Sequence, residues 1–131
     1  MTDAVRLTIP RGRPFYGVAR LIVGGLALRH DLSYEDLEDL QLALETVLSN
    51  DAYAVDDEVT VELTVREGVV EIAVGPVDGG ELRSDLERDD EGLGLHRLLS
   101  AVVEDVDVEQ RDAGEWIRLE KRFAKQERTP A

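Results

Sequence analysis

LSYEDLEDLQLALETVLSN, residues 32–50, carries the best-marked helix start in the chain. Ser33 is placed to cap the helix, and Asp36 three residues on makes a variant of the capping box. Leu32 and Leu37 are spaced as a hydrophobic staple across that start. Leu37, Leu40, Leu44 and Val47/Leu48 then recur at helical spacing and predict a buried stripe. The helix ends in a polar cluster of Glu45, Thr46, Ser49 and Asn50.

Upstream, VRLTI (residues 5–9) alternates apolar and polar, the period of a half-buried strand. PRGRP breaks it, and Pro14 can open a helix as its first residue. Val18, Leu21, Ile22, Gly25 and Leu26 form a stripe at helical spacing toward His30. Glycines at 24 and 25 each cost about 1 kcal/mol inside a helix, so they predict a kink or a close backbone contact. His30 reads as a favourable charge at the helix C-terminus.

Downstream, residues 51–57 (DAYAVDD) read as a polar, acidic loop. Val59, Val61, Leu63 and Val65 share one strand face, Glu67-Gly68 makes a turn, and Val70, Ile72 and Val74 return, which is a hairpin. GPVDGG ends it, since Pro76 cannot donate to a central ladder. Residues 81–91 are charged and read as a mobile segment without an apolar face. Gly92 and Gly94 open a third helix with Leu95, Leu98, Leu99 and Val102/Val103 at helical spacing. Val106 and Val108 start a strand, RDAG turns, and Ile117, Leu119 and Phe123 line one face of the last strand, with Trp116 and Arg118 on the other. Residues 124–131 are a polar tail. Strand runs separated by clustered helices predict an α+β two-layer sandwich: a mixed, mostly antiparallel sheet covered on one face by three helices.

The 131 residues fit one domain spanning the chain, which buries roughly two thirds of its unfolded surface. There is no cysteine, which excludes disulfides and thiolate chemistry and suits a reducing compartment. The longest apolar run, residues 21–28, is far short of a membrane span, and the N-terminus lacks signal-peptide order, so the chain is expected to be cytoplasmic. The net charge of −14 repels phosphate backbones and anionic lipid, arguing against nucleic acid and membranes as partners. It is compatible with a basic protein partner, and equally with solubility alone. No Walker A, HExxH or GxSxG motif is present, and two histidines without cysteine make a poor zinc set.

Three segments, LALETVLSN, VEIAVGPVDGG and EGLGLHRLL, in this order and spacing, resemble the Bergerat-type ATP-binding fold of the GHKL superfamily. Within it the chain is most similar to the small bacterial anti-sigma factor serine/threonine kinases. The likeness runs from about residue 5 to residue 123 and includes the closing hairpin. It implies ATP and Mg2+ as cofactors, a sigma factor and an anti-anti-sigma (STAS-type) protein as partners, and a homodimer.

In that family a glutamate on the helix is the general base, and an asparagine four residues later holds magnesium; a spacing of four puts both on one helix face. Here Asn50 matches the asparagine, and Thr46, which cannot act as a carboxylate base, stands at the glutamate position. Glu45, the remaining catalytic candidate, is five residues before Asn50, about 140° around the helix. Read without the family, Glu45 is a solvated residue and Asn50 a helix-end cap. The family's first glycine box has an aspartate that reads adenine. Pro76 falls at that position, Asp78 at the first glycine, and Gly80 matches the second; a two-residue slip would let Asp78 serve. As plain chemistry Asp-Gly-Gly is a turn. Gly92 and Gly94 match the second box, where amides at a helix start suit phosphate oxygens. Asp89, Asp90 and Glu91 would repel an anion there. His96 reads as a surface helix residue.

The resemblance therefore implies a regulatory anti-sigma-factor-like protein with a degenerate nucleotide site. The alternative is an active ATP-dependent serine/threonine kinase acting on an antagonist. A STAS-type regulator itself needs a phosphorylatable serine at a helix-opening loop, which Ser33 and Ser84 supply poorly.

Overall fold

Two apolar rows cross the whole sheet and set the architecture. The computed structural model describes residues 2–88, 94–112 and 114–124. The strands are β1 (Asp3–Pro10), β2 (Glu58–Arg66), β3 (Val69–Val77), β4 (Asp105–Arg111) and β5 (Gly114–Arg122). Their order is β1-β2-β3-β5-β4, and every pairing is antiparallel, so the expected mixed component is absent among the described residues. The registers align Leu7, Val61, Val74, Ile117 and Val108 in one row and Val5, Leu63, Ile72, Leu119 and Val106 in another. Side chains alternate between faces along a strand, so both rows line one face. The row between them, Arg6, Glu62, Ala73, Arg118 and Asp107, lies on the other.

The apolar face is covered by α1 (Arg13–Arg29), α2 (Tyr34–Leu48), α3 (Gly79–Glu87) and α4 (Leu95–Ser100), whose buried residues join the strand rows in one core. None is long and apolar enough to cross a membrane. The α2 helix forms as its sequence dictates. Ser33 Oγ accepts the Asp36 N–H at 3.0 Å, Leu32 and Leu37 pack on the core, and Leu40, Leu44, Val47 and Leu48 are at most 2% exposed. Each such side chain contributes roughly 1.5–3 kcal/mol.

The α1 helix corrects the reading of its apolar stripe. It buries Tyr16, Ala19, Val23 and Ala27, while Val18 and Leu21 are 40% and 76% exposed. Small residues let the helix lie close to its neighbours, and a count of apolar periodicity cannot see that preference. The helix runs unbroken through Gly24 and Gly25, and a Cβ at either would meet nothing within 4 Å. The glycines thus make no close contact in the described chain. His30 ends α1 and its Nε2 lies 2.7 Å from Asp3 Oδ2 at the start of β1. Arg29 and then His30 hold the Asp3 carboxyl below the usual range.

Four further expectations change. Residues 81–91 were expected to carry no apolar face, yet Asp78 caps a helix there by accepting the Glu81 N–H at 3.1 Å. Leu82 is fully buried, and Leu86 packs against the core. Among the described residues the α-helix count becomes four, because two leucines one turn apart suffice to dock a short helix in a charged stretch. β3 continues through Pro76, with a cis Gly75–Pro76 bond and a register shift between Val74 and Val77 that spares the missing donor. The acidic loop holds a 3-10 turn, Asp51–Tyr53, that buries Tyr53. The third helix stops at Ser100, although Val103 beyond it is buried.

On the polar face, Trp116 lies over Gly75, where a Cβ would come within 2.4 Å of the ring. The Arg111 guanidinium caps the indole at 4.2 Å and pairs with Glu62 and Glu109, each at 2.7 Å.

Lys121 is the buried cation of the helix-facing side, 6% exposed. Its Nζ donates to the Val102 carbonyl at 2.9 Å and to Asp39 at 3.2 Å, with Asp36 at 3.6 Å. It ties the first turns of α2 to the end of α4. Lys121→Ala strands two carboxylates and a carbonyl, and its expected cost is about 2–3 kcal/mol in urea unfolding. Arg20→Ala, at an exposed pair with Glu45, should stay within about 0.5 kcal/mol; equal losses in the two variants would refute the assignment.

Candidate functional site

The α2 stripe determines where each site residue points. With Leu40, Leu44, Val47 and Leu48 turned into the core, Glu45 and Thr46 are sent to opposite flanks of the helix. Thr46 and Asn50 line a cleft of about 280 Å³ whose other walls are Tyr53, Asp85 and Arg88, and Gly94, Leu95 and Leu98. Glu45 lies in a separate groove with Arg13, Tyr16 and Arg20, and its Oε1 is 3.0 Å from Arg20. The structure therefore brings Thr46, Asn50 and Gly94 together and leaves Glu45 out, as the angle around the helix predicts.

Inside the cleft, protons are committed inward. The Thr46 hydroxyl donates to the Leu42 carbonyl at 2.7 Å. The Tyr53 hydroxyl donates to Asp85 Oδ2 at 2.6 Å. Burial, and then the hydrogen bond to Asp85, push the phenol well above its ordinary range; a hydrogen bond from Asn50 offsets part of that shift. Asn50 Oδ1 accepts the Ala52 N–H at 3.0 Å, capping the 3-10 turn. Arg88 reaches Asp85 Oδ1 at 3.6 Å.

Tyr53 also fixes the neighbouring backbone. Its carbonyl accepts the Asp78 N–H at 2.9 Å, and Ala54 bridges to Val77. Asp78 and Gly80 sit at the cap and first turn of α3 and are not among the cleft's lining residues. Gly92 lies outside the described residues. His96 is exposed, with Ser100 Oγ at 3.4 Å from its Nε2. Among the described residues no group of three or more His, Asp or Glu is placed to hold a metal.

Sequence reasoning missed Tyr53, Asp85 and Arg88. Asp85 and Arg88 were hidden by reading α3 as a mobile charged run, although Asp78 as a cap with Leu82 and Leu86 four apart was a usable helix signal. Tyr53 was absorbed into a polar loop; a lone aromatic between apolar alanines was the available hint.

The sheet order and the cleft between α2, α3 and α4 define a Bergerat-type ATP-binding fold of the GHKL class. No family model matches the chain. Curated relatives do. The serine-protein kinase RsbW of Bacillus pumilus is 30% identical, covering 96% of this chain and 89% of its own length. The RsbW proteins of Halalkalibacterium halodurans (29%, covering 91% and 83%) and Listeria monocytogenes serovar 1/2a (30%, covering 81% and 79%) are similar. The crystal structure of the RsbU and RsbW domains of a Mycobacterium tuberculosis protein superposes with TM-score 0.68 at 16% identity, over 98% of this chain and 35% of that one, a likeness of fold. The chain belongs to the RsbW serine-protein kinase family.

Tyr53→Phe removes the donor to Asp85 and should lower stability by about 1–2 kcal/mol. The wild-type phenol stays protonated in the fold above pH 10.0, its ordinary value, while the unfolded phenol ionises. Its contribution is thus complete below that pH and is lost as pH rises toward the folded value. Tyr53→Phe should abolish this alkaline component; equal steepness above pH 10 in urea titrations of both proteins would refute it.

Proposed function

We propose that this protein is a regulatory anti-sigma factor that acts by protein contact on a nucleotide site that no longer supports phosphoryl transfer. The observation that carries the reading is the division of α2: Thr46 occupies the cleft position of the expected base, while Glu45 is paired with Arg20 in another groove. A hydroxyl whose proton is bound to Leu42 is no general base near neutral pH. The residues also fit a magnesium triphosphate poorly. Asp85 puts a carboxylate in the cleft, and the Arg88 guanidinium beside it is already paired with that carboxylate. Asn50 Oδ1 is already engaged by Ala52. Pro76 replaces the adenine-reading aspartate, and Asp78 is used as a helix cap.

The partners that suit this reading are a sigma factor and a STAS-type antagonist, with a homodimer as the working form in the cytoplasm. Support for the dimer comes from α1. Leu21 and Leu28 are 76% and 74% exposed, beside Gly17, Gly24 and Gly25, each with open space at its Cβ. Such a face is self-complementary, leucines entering glycine notches across a two-fold axis. Leu21→Glu with Leu28→Glu should convert a dimer to a monomer in sedimentation with little change in unfolding. A wild-type monomer at tens of micromolar would refute this arrangement.

Phosphate transfer is the decisive measurement for the site. A ligand at a hundred times its dissociation constant stabilises by about 2.7 kcal/mol, a melting shift of roughly 10 °C at this length. Millimolar Mg-ATP should give no such shift, and labelled ATP should leave a STAS-type antagonist unmodified while the sigma factor still binds. Transfer of label to an antagonist serine would establish the kinase reading instead.

A further inference from the structure

The cleft that lacks a base is not chemically blank. Its side-chain donors are taken up within the fold, the Asn50 amide on the Tyr53 oxygen and the Arg88 guanidinium on Asp85. The Thr46 hydroxyl donates to the Leu42 carbonyl, and the Tyr53 hydroxyl donates to Asp85. What Thr46 Oγ and the Asp85 carboxylate offer the cleft is lone pairs. Asp85 is an acceptor on both oxygens, and its Oδ1 faces Arg88 at 3.6 Å, beyond hydrogen-bond reach. Phosphate is also an acceptor, so it would meet groups of its own kind. A guanidinium is the opposite, five N–H donors and no acceptor, in a planar fork that matches a carboxylate.

We propose that this cleft receives the arginine side chain of a protein partner, with Asp85 as the carboxylate that holds it. Tyr53 is the positioning residue. It is buried to 1% exposure, its backbone is tied to Asp78, and its hydroxyl fixes Asp85 Oδ2 and leaves Oδ1 toward the opening. Thr46 Oγ supplies a second acceptor. Leu95 and Leu98 form the apolar wall along which an arginine stem lies, as long cationic side chains do on apolar surface. The chain's own Arg88, paired with Asp85 and 56% exposed, shows that a guanidinium fits here, and it is the occupant that a partner's arginine displaces. The net charge of −14 draws a cationic partner to this surface. The proposal deepens the reading of the site as non-catalytic and rests on it.

The test is a titration of the 15N-labelled chain, followed at the amides of Asn50 and Gly94, with agmatine, with acetyl-Gly-Arg-Gly-amide and with Mg-ATP. Agmatine and the peptide should both give saturable shifts at millimolar concentration. Asp85→Asn should weaken both by about tenfold or more, since the charge-assisted pair is lost. Arg88→Ala should tighten both by roughly threefold, because the internal competitor no longer reduces the binding-competent fraction. An anion site would respond with both signs reversed, Mg-ATP gaining from Asp85→Asn and losing from Arg88→Ala. That pattern overturns the proposal, as does absence of saturable shifts in both the wild type and Arg88→Ala. Arg88 is surface-exposed, so this second variant keeps the test valid if Asp85→Asn unfolds. Binding of agmatine without the peptide also overturns it, by making a free amine the ligand. If neither guanidinium binds and no phosphate is transferred, only this inference falls and the regulatory reading stands.

Discussion

Burial of one helix stripe governs the chemistry of this molecule. The free energy of placing Leu40, Leu44, Val47 and Leu48 against the sheet is several times what any single polar contact contributes. The rotation of α2 about its axis is therefore not adjustable. At 100° per residue, fixing the stripe also fixes residues 45, 46 and 50. Glu45 cannot be turned into the cleft without turning leucines out of the core. A one-residue displacement of a carboxylate along a helix is thus a change of kind, from a group facing bound ligand to a surface ion pair.

The same hierarchy explains what could be read from the sequence. The parts legible in advance are those where local chemistry and burial agree: the Ser33 cap with its leucine staple, the β2–β3 hairpin, and the alternation that became the two apolar rows. The α1 stripe was misread in part: Ile22 and Leu26 do pack against the core, but Val18 and Leu21 point outward, while Ala19, Val23 and Ala27 are the residues small enough to allow close packing. Periodicity identifies a helix, but here size selects its inner face. The α3 segment was missed for the opposite reason. Leu82 and Leu86 are few among many charges, and their burial depends on Tyr53 and the sheet end, which no local window contains. The failure to align Glu45 with Asn50, by contrast, was fully visible in the spacing, and the structure assigns each a flank.

Within the cleft, the polar side chains order one another. Tyr53, Asp85 and Asn50 form a connected set that holds the 3-10 turn, the end of β3 and α3 together. A buried phenol needs an acceptor, and a carboxylate near it needs a donor. Each satisfies the other, so the pair persists without bound ligand. A phosphate-binding site requires donors left open; this cleft uses its donors internally. That economy makes the ligand-free arrangement self-consistent.

The glycines make the separate argument that the molecule faces outward through α1. Gly75 and Gly79 are demanded from within, since a Cβ would strike Trp116 at one and the Glu115 carboxylate at the other. Gly17, Gly24 and Gly25 have no such demand; each has open space around its Cβ, and each costs about 1 kcal/mol of helix stability. Leu21 and Leu28, exposed beside them, also return nothing to the isolated fold. A helix that carries both penalties on one surface and packs with alanines on the other is what supports the dimer proposed above.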